Sequence, residues 1–268
     1  MSPVRRAGTG RDAGDVTRVV VVVPARDEQD ELPGCLDALS VAAARVEPIG
    51  VRVDVVVAAD SCVDRTAAVA RDFGARVVET DVGTAGAARA AGFAAALGQS
   101  WITRAPEASS HRDRLWLATT DADSRVPRGW LACQIAWAAR GWDAVAGTVR
   151  VSDWSGHPPG AAEAFAARYH HWHGRPPHVH GANLGFRSAA YQAVGGFTTS
   201  AVGEDHDLVR ALENAGYRVL RTAAHSVVTS ARLDPRAPGG FGHALRAYSE
   251  AQAHADADAH ADALREFR

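Results

Sequence analysis

The chain has 268 residues, 47% of them hydrophobic and 22% charged, with a formal net charge of −2; that is enough for one large α/β domain or two small ones. All 29 basic residues are arginine, which excludes a Schiff-base lysine, a pyridoxal-phosphate anchor and a Walker lysine. Any bound phosphate must be held by arginine, backbone N–H or metal, and near-neutral charge without a basic block argues against a nucleic-acid partner.

Residues 1–17 are polar and rich in Gly and Arg, and are expected to be disordered. No apolar segment follows Arg5 and Arg6, so no signal peptide is expected. The apolar run Val19–Val23 is too short to span a bilayer. Cys35, Cys62 and Cys133 lack C-x-x-C spacing, so neither a disulfide framework nor a zinc ribbon is implied. These features predict a soluble cytoplasmic protein without a transmembrane segment.

From Val19 the pattern alternates strand and helix. Val19–Val23 is an all-β-branched run suited to a strand buried on both faces, stopped by Pro24. Leu32, Leu36 and Leu39 recur at helical spacing behind the acidic opening Asp27, Glu28, Asp30 and Glu31. Strand Val53–Ala58 ends at Asp60, helix Asp64–Phe73 follows, then strand Ala75–Glu79 and an alanine-rich helix over Thr84–Leu97. Strand Trp116–Thr119 runs into Asp121-Ala122-Asp123. Strands separated by such helices predict right-handed βαβ crossovers and a mostly parallel sheet.

The second half is less regular. It predicts helix Arg128–Ala139, strand Ala144–Val151, helix Ala161–His171, a short strand or loop over Gly181–Phe186, helix Glu204–Ala215 and a last strand Tyr217–Arg221. From Pro235 the sequence is loop-like and ends in an Ala/His/Asp-biased tail over residues 251–262, read as a solvated helix.

Ligands of open parallel sheets bind beyond the carboxyl ends of the strands. Three such ends carry polar residues here: Pro24-Ala25-Arg26-Asp27-Glu28, Asp60-Ser61-Cys62-Val63-Asp64 and Asp121-Ala122-Asp123-Ser124. Neither G-x-G-x-x-G nor a P-loop is present. Acidic strand ends suit hydrogen bonds to a ribose or base, with Mg²⁺ or Mn²⁺ facing a pyrophosphate.

The segments P-A-R-D-E, A-D-S-C-V-D-R-T, G-A-A-R-A-A-G, T-D-A-D, H-G-A-N-L-G-F and G-E-D-H-D-L, in this order and spacing, resemble family 2 glycosyltransferases over about residues 18–230. The resemblance implies a single GT-A domain, a Rossmann-like α/β fold with a mostly parallel sheet flanked by helices. A nucleotide-sugar half (18–123) would be followed by an acceptor half (124–230), with residues 231–268 as a C-terminal loop and helical tail. It implies hexosyl transfer from a UDP- or GDP-linked sugar to an unidentified acceptor hydroxyl, with Mn²⁺ or Mg²⁺ as cofactor. Many relatives act on lipid carriers, so peripheral membrane association is a further expectation.

Residue roles follow from the same resemblance. Pro24, Ala25, Arg26 and Glu28 would line the nucleotide pocket, Asp60 would accept from the base, and Arg89 would lie near base or phosphates. Asp121, with Ala122, would face the ribose or the metal's water shell, and Asp123 would ligate the metal. Asp205 would be the base of an inverting displacement, paired with Glu204 and with Asp207 as competitor, with a retaining mechanism as the alternative that some GT-A enzymes use. Gly181 and Asn183 would border donor sugar and acceptor. His225 would be a further metal ligand or a structural histidine, and Arg232 a possible grip on the diphosphate. Asp60 and Asp121 also suit capping, Arg89 a solvated helix position, and Glu28 and the Glu204–Asp205 pair a helix first turn. Trp172 suits a sugar face or a core anchor, and the crowd His170, His171, His173, His178 and His180 a loop more than a zinc site. The enzyme-class rival, a sugar-nucleotide nucleotidyltransferase, lacks its Gly-rich loop and lysine here. A catalytically silent nucleotide-sugar binder is opposed by the intact Asp121, Asp123 and Asp205.

Overall fold

The computed structural model describes residues 16–98, 114–170, 179–200, 202–233 and 241–250, the last without 244 and 248. Its centre is the valine run. Strand β1 (Arg18–Ala25) pairs in parallel with β2 (Arg52–Asp60) on one side and β4 (Leu115–Thr119) on the other, and β3 (Arg76–Thr80) adds to β2. Side chains of a strand alternate between faces. Val19, Val21 and Val23 accordingly enter one core with Leu32, Cys35, Leu36 and Leu39 of α1 (Leu32–Ala43) and with Trp116 and Trp130. Val20 and Val22 enter the opposite core with Phe93 of α3 (Ala85–Gly98) and with Leu117, Phe186 and Leu208. A fully buried valine contributes about 1.5–3 kcal/mol, so this run alone demands helices on both faces.

The strand continues through Pro24, where the sequence predicted a stop. Pairing with β4 ends at Val22, so the proline, which cannot donate, falls where β1 has a neighbour only in β2. Helix α2 (Thr66–Asp72) starts two residues later than predicted.

The second half closes the sheet in mixed directions. Strand β7 (Leu184–Arg187) runs antiparallel to β4 and to β6 (Ala144–Val151); β8 (Val219–Thr229) is parallel to β6, and the two-residue β5 (Ser124–Arg125) caps its far edge. The order is β3-β2-β1-β4-β7-β6-β8-β5. Helices α4 (Trp130–Ala139), α5 (Ala161–His170), α6 (Ser188–Ala193) and α7 (Glu204–Asn214) complete this half. Strand β8 is far longer than the predicted Tyr217–Arg221 because it crosses a bulge. β6 advances only from Gly147 to Val149 while β8 goes from Thr222 to Val227, and the residues between, exposed Ala223, Ala224 and His225 with half-buried Ser226, carry no alternation to mark a strand.

Of the segment expected to be disordered, residues 16 and 17 are ordered. Val16 is buried, and Thr17 donates to the Arg114 carbonyl and accepts from the Arg52 N–H; residues 1–15 lie outside the described residues, as does the tail over 251–262. Past β8 the chain returns to the second half of the fold. Leu245 is buried, and Ser249 Oγ lies 2.5 Å from Nδ1 of His157. No helix among the described residues is long and apolar enough to cross a membrane.

Candidate functional site: two arginines among five acids

Parallel pairing brings the carboxyl ends of β1, β2 and β4 to one edge of the sheet, and with them the three polar turns. The loops after β1 and β2 are laced together. Asp27, in left-handed backbone (φ 52°), accepts from the N–H of Val63 at 2.7 Å, and Asp64 accepts from the N–H of Gln29 at 3.1 Å. Thr66 Oγ1 accepts from the Glu28 N–H at 2.7 Å. Asp60 is buried and receives the N–H groups of Val82 at 2.7 Å and Gly83 at 3.0 Å, one on each oxygen, which holds the turn after β3. Pro24 is half-buried, Ala25 and Ala122 are buried and Arg26 is exposed, all on this edge.

Two arginines organise the acids. Arg89 of α3 is buried to 3% exposure. Its Nη2 donates to Asp121 Oδ1 and its Nη1 to Glu204 Oε1, each at 2.5 Å. Nε is buried and has no partner among the described residues. Burial works against this charge, but Asp121, Glu204 and Asp205 outweigh it and the pKa of Arg89 moves up. The Asp121 carboxyl moves up too, because burial and the neighbouring Asp123 charge exceed the opposing pull of Arg89; 36% of its side chain still meets water, which tempers the shift.

Glycine makes this knot possible. A Cβ at Gly181 would lie 2.4 Å from Nη2 of Arg89, and one at Gly86 would lie 2.6 Å from Cγ of Glu204. The Gly181 N–H in turn donates to Asp205 Oδ2 at 2.9 Å, while Asp205 Oδ1 takes the His206 N–H at 2.8 Å. Asp205 opens α7 behind Gly203, where three acids in the first turn oppose the helix dipole. Asp207 points elsewhere and pairs with Arg210.

The second arginine, Arg232, lies three residues beyond β8. It donates to both oxygens of Glu28, at 3.1 and 2.8 Å, and Nη2 also donates to Asp123.

The sequence profile described as "Glycosyl transferase family 2" matches residues 20–195, about two thirds of the chain. The chain belongs to glycosyltransferase family 2. No curated protein matches its sequence. Among solved structures it is similar to residues 1–349 of TarS from S. aureus, with a TM-score of 0.52 and 16% identity over 81% of this chain and 61% of that one. It is similar to the mannosyltransferase PcManGT from Pyrobaculum calidifontis, in complex with GDP-Man and Mn²⁺, with a TM-score of 0.54 and 22% identity over 89% and 62% of the two chains. A third is glucosyl-3-phosphoglycerate synthase from Mycobacterium tuberculosis, in complex with Mn²⁺, UDP and phosphoglyceric acid, at 0.51 and 14% over 84% and 77%. The structural likeness, at these low identities, shows a shared GT-A fold. The chain spans just over 60% of the first two of those chains.

Within this family 2 domain, two expected site residues belong to the packing of the β6–β8 bulge. Asn183, placed by sequence against a sugar hydroxyl, is 3% exposed and committed to the fold. Its amide donates to the carbonyls of Thr148 and His225, and its oxygen accepts from Trp130 Nε1 at 2.8 Å. It pins the β6–β8 bulge to α4, because a buried amide is costly unless its groups are paired. His225 sits on the bulge itself, exposed, at φ 59°, with Cε1 3.2 Å from where a Gly129 Cβ would be. Asp121, Asp123 and His225 do not gather their ligand atoms within 4.8 Å; among the described residues only Asp27, Cys62 and Asp64 do so.

Two cavities lie here, neither lined by the acids that Arg89 and Arg232 hold. One, about 10 Å³, lies beneath His225 against Trp130 and Trp137; the other, an open cleft of about 420 Å³, runs along the ends of β2 and β3 past Ser61, Cys62 and Asp64. Trp172 and the histidines at 171, 173 and 178 fall outside the described residues. His180 is a packing histidine, 2.9 Å from Tyr169 Oη and edge-on to Phe241. Sequence reasoning missed the Asp27–Asp64 lacing. Two acids opening consecutive βα turns were the available signal.

Proposed function

We propose that this chain transfers a hexosyl group from a UDP- or GDP-linked sugar to an acceptor hydroxyl by direct displacement, with inversion at the anomeric carbon. One observation carries the reading: the Arg89 guanidinium joins Asp121, at the end of the donor half, to Glu204, beside Asp205 in the acceptor half. Donor-side and acceptor-side acids thus meet around one fixed cation.

In this reading Asp121 and the ends of β1 and β2 receive the nucleoside, with Pro24, Ala25, Arg26, Glu28, Asp60 and Ala122 shaping the pocket. The Asp60 oxygens are already used on the turn at Val82 and Gly83, so its part is to shape that turn against the base. Asp205 removes the hydroxyl proton. The N–H groups of Gly181 and His206 fix its carboxylate and leave lone pairs for the acceptor. Gly181 offers close backbone approach beside it.

The donor set suits a divalent cation. Glu28 and Asp123 already hold a positive group, the guanidinium of Arg232, and their oxygens are hard ligands of the type Mg²⁺ and Mn²⁺ take. When bound, the metal would neutralise charge on the departing nucleoside diphosphate. Asp123 would hold it; His225 is better read as part of the bulge.

The test is release of nucleoside diphosphate from a panel of UDP- and GDP-sugars with Mn²⁺, with and without hydroxyl acceptors. Asp205→Asn should lower kcat by about 10²–10⁴ while leaving donor affinity nearly unchanged. Wild-type turnover in that variant would remove Asp205 from the role of base, and NMR of the product's anomeric proton would decide inversion.

A further inference from the structure

The two partners of Arg232 are held unequally. Glu28 takes the guanidinium with both oxygens, and its side chain is 8% exposed. Asp123 receives only an Nη2 contact shared with Glu28, on its Oδ2. Its other oxygen has Ser124 Oγ and Thr229 Oγ1 at 3.5 Å, the limit of a hydrogen bond. A bidentate fork is the stronger and more directional pairing. Asp123 is therefore the partner that can be released while the arginine stays in place.

We propose that Arg232 occupies the cation position of Asp123 in the nucleotide-free protein and yields it only when a divalent cation and a nucleoside diphosphate arrive together. This rests on the metal-dependent reading above and adds a binding order to it. Two carboxylates and one guanidinium carry one net negative charge. A divalent cation alone would turn that into one net positive charge, with the guanidinium and the metal competing for the same oxygen. The doubly charged diphosphate of a sugar nucleotide restores the original balance. Moved off Asp123 but retained by Glu28, the freed N–H of Arg232 stays beside the site, able to meet a phosphate oxygen. Glu28 is thus a positioning residue for Arg232, and its near-complete burial fits a group that keeps its partner throughout.

Titration of Mn²⁺ alone into wild type and Arg232→Gln, read by calorimetry or by the electron paramagnetic resonance of free Mn²⁺, tests this without any turnover. Arg232→Gln should bind Mn²⁺ about tenfold more tightly than wild type, and UDP or GDP should enhance Mn²⁺ binding less in the variant than in wild type, by the same factor. Arg232→Lys, which keeps the charge, should stay near wild type and serves as the second variant should Arg232→Gln melt early. Equal or weaker Mn²⁺ binding by Arg232→Gln overturns the proposal, as does Mn²⁺ binding that survives Asp123→Asn. If neither protein binds Mn²⁺ even with nucleotide while sugar transfer proceeds in EDTA, the metal reading fails and the binding order falls with it. Sugar transfer that needs Mn²⁺, with no difference between wild type and variant, overturns the binding order alone.

Discussion

Arg89 and Arg232 each bridge two acids from distant parts of the chain, yet their surroundings differ. Arg89 leaves 4% of its side chain exposed and is wedged under Gly181, so nothing can approach it without moving backbone. Arg232 leaves 22% exposed and follows the last strand on a loop. The first pair of contacts reads as scaffold, tying α3, the turn after β4 and the start of α7 together at the candidate site. The second reads as a contact that can be exchanged. Charge alone does not separate them; water access does, because screening and competing ligands reach only the exposed one.

Stability measurements can break this comparison. Arg89→Met strands Glu204, whose side chain is 12% exposed, while water already reaches 36% of Asp121, and urea unfolding should show a loss of about 2–4 kcal/mol, short of the full cost of breaking a wholly buried ionic group. Arg232→Gln should cost less, about 1–2 kcal/mol, since water can reach both Arg232 and Asp123 and only Glu28 is left poorly solvated. If its loss equals that of Arg89→Met, Arg232 is scaffold as well. A third point sharpens the scale. Arg71 pairs with Glu79 where 55% and 66% of the side chains are exposed, and Arg71→Ala should change stability by about 0.5 kcal/mol or less.

Much of the donor half was legible in the sequence. The valine run, the leucines of α1 and the acids closing β2 and β4 are local signals, and each states its own burial or terminus. The acceptor half was less so. Its elements mix directions, its last strand crosses a bulge, and the consecutive exposed residues Ala223, Ala224 and His225 break the alternation that marks a strand. The candidate site residues divide the same way. Asp121, Asp123 and Asp205 could be picked out because short motifs carry them. Asn183 and His225 look equally polar in the sequence, but the Asn183 amide is buried and bonded on three sides, and only the packing of Trp130, Thr148 and the His225 carbonyl reveals that.

By itself the sequence determined the α/β alternation, the family, and the absence of any lysine that might hold a phosphate. The tertiary structure decided how arginine serves instead. Arg89 and Glu204 stand 115 positions apart, and Arg232 and Glu28 stand 204 apart. No local pattern encodes pairings across such separations. They arise because sheet closure brings α3, the start of α7 and the segment after β8 to one edge, where desolvated carboxylates must find a cation.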